Sequence, residues 1–140
     1  MPRFLPERLE AGTLNVPGIA GLAAGIGYVR HMGVEQILRR ECRAAKSCVS
    51  MLKKLGFTVF SGENQSGTVS FLPQGDGEEL AEYLSREGIA VRSGLHCAPL
   101  AHESAGTLET GTIRISFGHD ANMAQVAALE AALGKTCFRS

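Results

Sequence analysis

The 140-residue chain has no excess of charge of either sign, with 14 basic and 14 acidic side chains, and no Lys/Arg block stands out. It therefore lacks the electrostatic footprint of a nucleic-acid partner. Long hydrophobic runs are missing as well. The longest uncharged apolar stretch, Val16 to Val29, is too short and too glycine-rich to span a bilayer. Arg3, Glu7, Arg8 and Glu10 stand where a secretory signal needs an apolar core, so a cytoplasmic protein with no membrane association is expected. Cysteine is sparse: Cys42, Cys48, Cys97 and Cys137 lack the density of a secreted disulfide scaffold. Reduced thiols follow from this, and the chain is long enough for one domain with a real core.

Pro2, Pro6 and Pro17 bias their preceding residues away from helix, and Gly12 adds a flexible point, so residues 1–17 read as an extended lead-in. Residues 18–140 then form one folded domain. A helix over 18–32 is rich in Gly and Ala and poor by propensity, so it must be held by packing against a sheet or another subunit. A second helix, 34–55, places Val34, Ile37, Leu38, Ala45, Val49, Leu52 and Leu55 on one side and a solvated basic face on the other. Cys42 and Cys48 fall on different faces of it and read as packing residues. Cys137 reads as incidental.

Strands are predicted over 57–60 and 68–72, around a turn-rich 61–67, followed by a helix over 76–88 and a strand opening at Ile89. Residues 98–111 read as a polar loop, either a lid over Cys97 or a plain connection. A last strand over 112–117 and a helix over 122–133 complete an α/β fold: a small mixed β-sheet of about four strands packed against helices.

The stretch that carries chemistry is Arg92-Ser93-Gly94-Leu95-His96-Cys97-Ala98. A thiol sits in a loop beside an imidazole, with a guanidinium upstream, and a positive neighbourhood favours thiolate, the nucleophilic form. Most free cysteines are inert packing residues, but Gly, His and Pro are not the neighbours of an apolar helix face. Arg114 alternates with Ile113 and Ile115, so it faces away from the core, and pairing of the last two strands brings it near Arg92. Two guanidiniums beside one thiol call for an anion such as a small carboxylate. The competing reading pairs Arg114 with Glu109 or Asp120 on the surface. Upstream, Glu10-Ala11-Gly12-Thr13-Leu14-Asn15 puts a hydroxyl, an amide and a glycine just before a helix start, the ingredients of an anion site or of a plain helix cap.

With these motifs, the chain resembles a known family, the pyridoxal-phosphate-dependent cysteine desulfurases and selenocysteine lyase-like proteins of the class V aminotransferase group. It resembles their C-terminal region, over essentially all of its length. The matching pieces are residues 92–98, residues 10–15 followed by Gly18-Ile19, and Gly111-Thr112-Ile113-Arg114-Ile115-Ser116-Phe117-Gly118. The resemblance implies the small C-terminal domain of fold type I transferases, and a Cys97 that attacks the sulfur of a substrate L-cysteine held as its pyridoxal 5'-phosphate adduct. That step leaves a persulfide on Cys97 and releases alanine. It further implies Arg114 and Arg92 as substrate-binding residues, a supporting role for His96, and Thr13 on the phosphate of the neighbouring subunit's cofactor in a homodimer, with a protein as sulfur acceptor.

Two departures stand out. Leu95 takes the place of the first of two successive histidines found in many members. The Schiff-base lysine and the large domain that holds it have no counterpart: Lys46, Lys53, Lys54 and Lys135 are not in settings that would desolvate an amine. Alone, the chain is expected to be inactive. Competing readings are a class V aminotransferase or lyase acting on another amino acid, with Cys97 a bystander, and a non-enzymatic domain that docks or accepts sulfur. Zinc held by His96, Cys97 and His102 is a poor fit, because no fourth ligand is evident, and no metal is expected.

Overall fold

A computed structural model describes residues 3–10 and 12–136. Cys137, and Ala11 within the 10–15 motif, lie outside the described residues. The chain divides into two units, Met1–Val34 and Glu35–Ser140.

In the first unit the lead-in is not wholly extended, because Glu7–Leu9 form a 3-10 turn. Helix α1 runs Val16–Met32, with the Asn15 side chain capping it by accepting from Gly18 N at 3.0 Å. It begins two residues before the predicted start because Pro17 falls in the first turn, where a missing N–H costs nothing. No residue of α1 is buried; Leu22 is 65% exposed and Ile26 51%. Among the described residues of the first unit, nothing buries the apolar side chains of this glycine-rich helix.

The second unit is a two-layer α/β sandwich. Helix α2 (Val34–Lys54) leads to β1 (Val59–Phe60), β2 (Thr68–Phe71), α3 (Gly77–Arg86), β3 (Arg92–Gly94), α4 (Pro99–Ala105), β4 (Thr112–Ser116) and α5 (Met123–Thr136). The strand order is β1-β2-β4-β3, and every neighbouring pair is antiparallel. The expectation of a mixed sheet is corrected here. Crossover helix α3 does join two strands of the same direction, β2 and β3, but β4 inserts between them, a split β-α-β arrangement.

Alternation along the strands sorts their side chains. Val69, Phe71, Ile113 and Ile115 point to one face and are buried with Ala44, Ala45, Cys48, Met51 and Leu52 of α2, Leu84 of α3, and Val126, Leu129, Ala132 and Leu133 of α5. Phe57 lies just before β1 instead of in it, yet joins this core, its ring 5.0 Å from that of Phe71 in an edge-on contact. Val34 and Leu38, by contrast, are 66% and 47% exposed, so the inward face of α2 begins only near its middle. The opposite face of the sheet carries Ser70, Arg92, Arg114 and Thr112.

Two expectations near Cys97 are corrected. The strand begins at Arg92, not Ile89: Ile89 and Val91 pack against the core as irregular backbone, and pairing with β4 starts only where their polar neighbours begin. Residues 98–111 are not a continuous loop, since Pro99 opens the short helix α4, which Gly106 ends in left-handed conformation at φ 69°.

Candidate active site

Arg92 and Arg114 lie directly opposite each other across β3 and β4. Residues so placed in an antiparallel pair project to the same face, and Ser70, opposite Arg114 on β2, continues the row. The ion pairs among the described residues are Arg39–Glu35, Arg86–Glu82 and Lys135–Glu87. Neither arginine of the site is among them, and the surface pairing of Arg114 with Glu109 or Asp120 is not formed. Two like charges opposite each other are mutually destabilising, and a carboxylate accepting from both would relieve the repulsion.

Beyond Gly94 the chain turns through Leu95-His96-Cys97-Ala98. Ala98 N donates to Leu95 O at 2.9 Å, and both central residues have positive φ, 51° at His96 and 59° at Cys97. This is the pattern of a type I′ turn, which ordinarily takes Asn and Gly. A left-handed non-glycine residue costs on the order of 1–3 kcal/mol and clusters at functional sites. Cys97 is exposed, in contrast to Cys48, whose thiol is fully buried and pushed up to about 12 by desolvation.

The His96 ring reaches back to β4, its Nε2 3.2 Å from both Thr112 O and Thr112 Oγ1. A carbonyl only accepts, so Nε2 carries the proton and Nδ1 is left as a bare lone pair, buried and without a hydrogen-bond partner. The imidazole is held below its ordinary pKa, first by desolvation and then by the charge of Arg114, with lesser contributions from His102 and Arg92; the bond to Thr112 works in the other direction. His102 of α4 is buried, its ring centroid 5.9 Å from that of His96, and its Nδ1 shares a 2.8 Å hydrogen bond with Thr107 Oγ1.

The second unit thus brings Arg92, Arg114 and His96 to one end of the open sheet face, with Cys97 next in chain. Thr13 is exposed in the first unit, two residues ahead of the helix cap. Sequence reasoning missed Thr112, whose carbonyl and hydroxyl receive His96, and Gly111. It noted Thr107 only as a member of a polar loop, and His102 as a member of that loop and as a poorly fitting zinc ligand. The signal for Gly111 was a glycine directly ahead of a β-branched strand, the place where two backbones come close.

The described residues fit a carboxylate-bearing amino acid better than they fit an aldehyde cofactor. A Schiff-base lysine needs a desolvated pocket, whereas Lys46, Lys53, Lys54 and Lys135 are all exposed, and Lys135 is engaged by Glu87 at 2.7 Å. No group of three His, Cys, Asp or Glu among the described residues is placed to hold a metal ion, and no helix is long and apolar enough to cross a membrane.

An antiparallel sheet backed by helices thus carries an arginine pair on one face and leads, beyond β3, into a turn with an exposed thiol. The chain belongs to the Aminotransferase class-V family, whose profile matches residues 3–129. It is similar to the protein named "Probable cysteine desulfurase" in Xylella fastidiosa, 37% identical over 115 residues that make up 80% of this chain and 28% of that protein. A cysteine desulfurase of Pectobacterium carotovorum is 38% identical over 95 residues, 66% of this chain and 23% of its own. Among solved structures, the apo cysteine desulfurase from Thermococcus onnurineus superposes with a TM-score of 0.89 at 33% identity, over 96% of this chain and 34% of that one. CsdA, a cysteine desulfurase of Escherichia coli, does so at 0.83 and 31%, over 93% and 32%. The chain therefore spans only 28% of the length of its Xylella relative and 23% of its Pectobacterium relative.

Proposed function

We propose that this chain is the C-terminal part of a cysteine desulfurase, in which Cys97 takes sulfur from L-cysteine as a persulfide. The observation that carries the reading is the Arg92–Arg114 pair, without an acidic partner among the described residues, on the strands that flank the exposed Cys97 turn. Arg114, half-buried, holds the substrate carboxylate in two parallel hydrogen bonds, and the more exposed Arg92 adds positive charge. Cys97 as thiolate attacks the substrate sulfur. A sulfur–sulfur bond forms, the carbon–sulfur bond of the substrate breaks, and its electron pair stays with the carbon that becomes the methyl group of alanine.

The electron sink for this step is pyridoxal 5'-phosphate. Its lysine comes from outside the described residues, so these residues alone do not turn over cysteine. Thr13 serves the cofactor phosphate of the neighbouring subunit in a homodimer, and the persulfide passes to a protein acceptor in the cytoplasm. The uncovered apolar surface of α1 supports an assembly in which further protein packs on the first unit.

The test supplies L-cysteine to the complete holoenzyme and measures alanine and sulfide. Cys97→Ala abolishes both and Arg114→Leu raises KM. Unchanged release in Cys97→Ala shifts the reading to a class V enzyme in which Cys97 is a bystander.

A further inference from the structure

We infer that His96 is a positioning residue, a clamp that ties the Cys97 turn to β4 through its Nε2–H, and that it does not exchange a proton with the substrate. The purpose of the clamp rests on the sulfur-accepting role proposed for Cys97; its geometry does not.

The turn needs a tie. Both of its central residues are left-handed and neither is glycine, so the turn is held against a backbone preference. One tie is its own closing bond, Ala98 N to Leu95 O. The other is the forked donation from His96 Nε2 to the carbonyl and hydroxyl of Thr112. Thr112 and Arg114 lie two residues apart on β4 and therefore on one face of the sheet. A single strand thus holds both the turn with the thiol and the arginine for the substrate carboxylate, fixing the nucleophile relative to the group it must attack.

Neither ring nitrogen is free to serve as acid or base. Nε2 is committed to a carbonyl, which cannot return a proton, and Nδ1 is shut away from solvent with no partner. The groups that face the ring are Arg114 from β4, Arg92 from β3 and His102 from α4, and none of them is an acid that would stabilise an imidazolium.

The test compares wild type with His96→Gln and His96→Ala in the complete holoenzyme. Glutamine is chosen because its amide N–H can stand where Nε2–H stands and cannot titrate. Two readouts are used: the tautomer of His96 by nitrogen NMR in the wild type, and the ratio of alkylation rates of Cys97 with iodoacetate and iodoacetamide. Both reagents consume thiolate, so their ratio reports the positive potential around the sulfur. The expected result is an Nε2–H tautomer and a ratio kept within about twofold by glutamine but lowered about fivefold or more by alanine, as the thiol leaves the arginines. An Nδ1–H tautomer, a ratio that falls equally in both variants, or one that alanine leaves unchanged overturns the proposal. If His96→Ala does not fold, the tautomer and the glutamine variant decide. Failure of the wild type to release alanine from L-cysteine sinks the proposed function and leaves both readouts intact, so the two failures are distinguishable.

Discussion

Arg92 stands directly opposite Arg114 in the register of β3 and β4, and among the described residues neither has an acidic partner. The pairing works against the fold, and the substrate carboxylate proposed above would offset it. Replacing one charge should therefore stabilise the protein while weakening its grip on substrate. Arg92→Gln is expected to raise unfolding stability by about 0.2–1 kcal/mol at low ionic strength. The gain should vanish in high salt, where exposed charges are screened. Urea denaturation at two salt concentrations checks this, and a loss of stability at low salt would contradict it.

Gly111 is where the site's backbone is tightest. It has φ 63°, and a Cβ placed on it would come within 2.8 Å of Gly94 Cα and 2.9 Å of Gly94 C. Backbone cannot swing aside as a flexible side chain can. Gly111→Ala is expected to cost about 1–3 kcal/mol, since both strain and clash act on it. It should also alter Cys97 alkylation, because the turn leaves β3 at Gly94. Thermal unfolding and thiol kinetics on the same variant check both, and unchanged values in both would show that the contact is soft.

The His96 imidazole, kept below its ordinary pKa of 6.5 in the folded state by desolvation and the Arg114 charge, gives stability a pH dependence of fixed sign. The unfolded chain takes up this proton at the higher pH, so the contribution is complete above 6.5 and is lost as pH falls from there towards the folded-state value. Stability of the wild type should drop between neutral and mildly acidic pH by more than that of His96→Gln. Denaturation midpoints of the two proteins across that window test it, and parallel curves would contradict it.

Thiol labelling should separate the cysteines cleanly. Cys48 is fully buried, with its thiol pushed up to about 12, whereas Cys97 is exposed. In native protein iodoacetamide should modify Cys97, and Cys48 only after denaturant is added. Mass spectrometry of peptides resolves the two sites. Comparable native rates would contradict the packing described here.

Several of these features were legible in the residues. The alternation Ile113-Arg114-Ile115 placed the arginine on the face away from the core, and the position of Arg92 beside it followed once β3 and β4 paired. The boundaries near the thiol were not legible. Ile89 and Val91 have the propensity of a strand but use their side chains to pack on the core, while the backbone bonds that define β3 begin at Arg92. Helix α4 is too short, at 7 residues, to show a period, although Pro99 and Gly106 mark its two ends. The antiparallel order of the sheet depends on β4 inserting between β2 and β3, a long-range choice that no local pattern encodes. The tie between His96 and Thr112 spans 16 residues and is equally invisible to spacing.

The most direct measurement is the mass of the Cys97 peptide after the holoenzyme meets L-cysteine without a reductant. The account predicts a peptide heavier by one sulfur atom, restored to its original mass by dithiothreitol and formed more slowly in Arg114→Leu at low substrate. Alanine release with no sulfur ever found on Cys97 would contradict it.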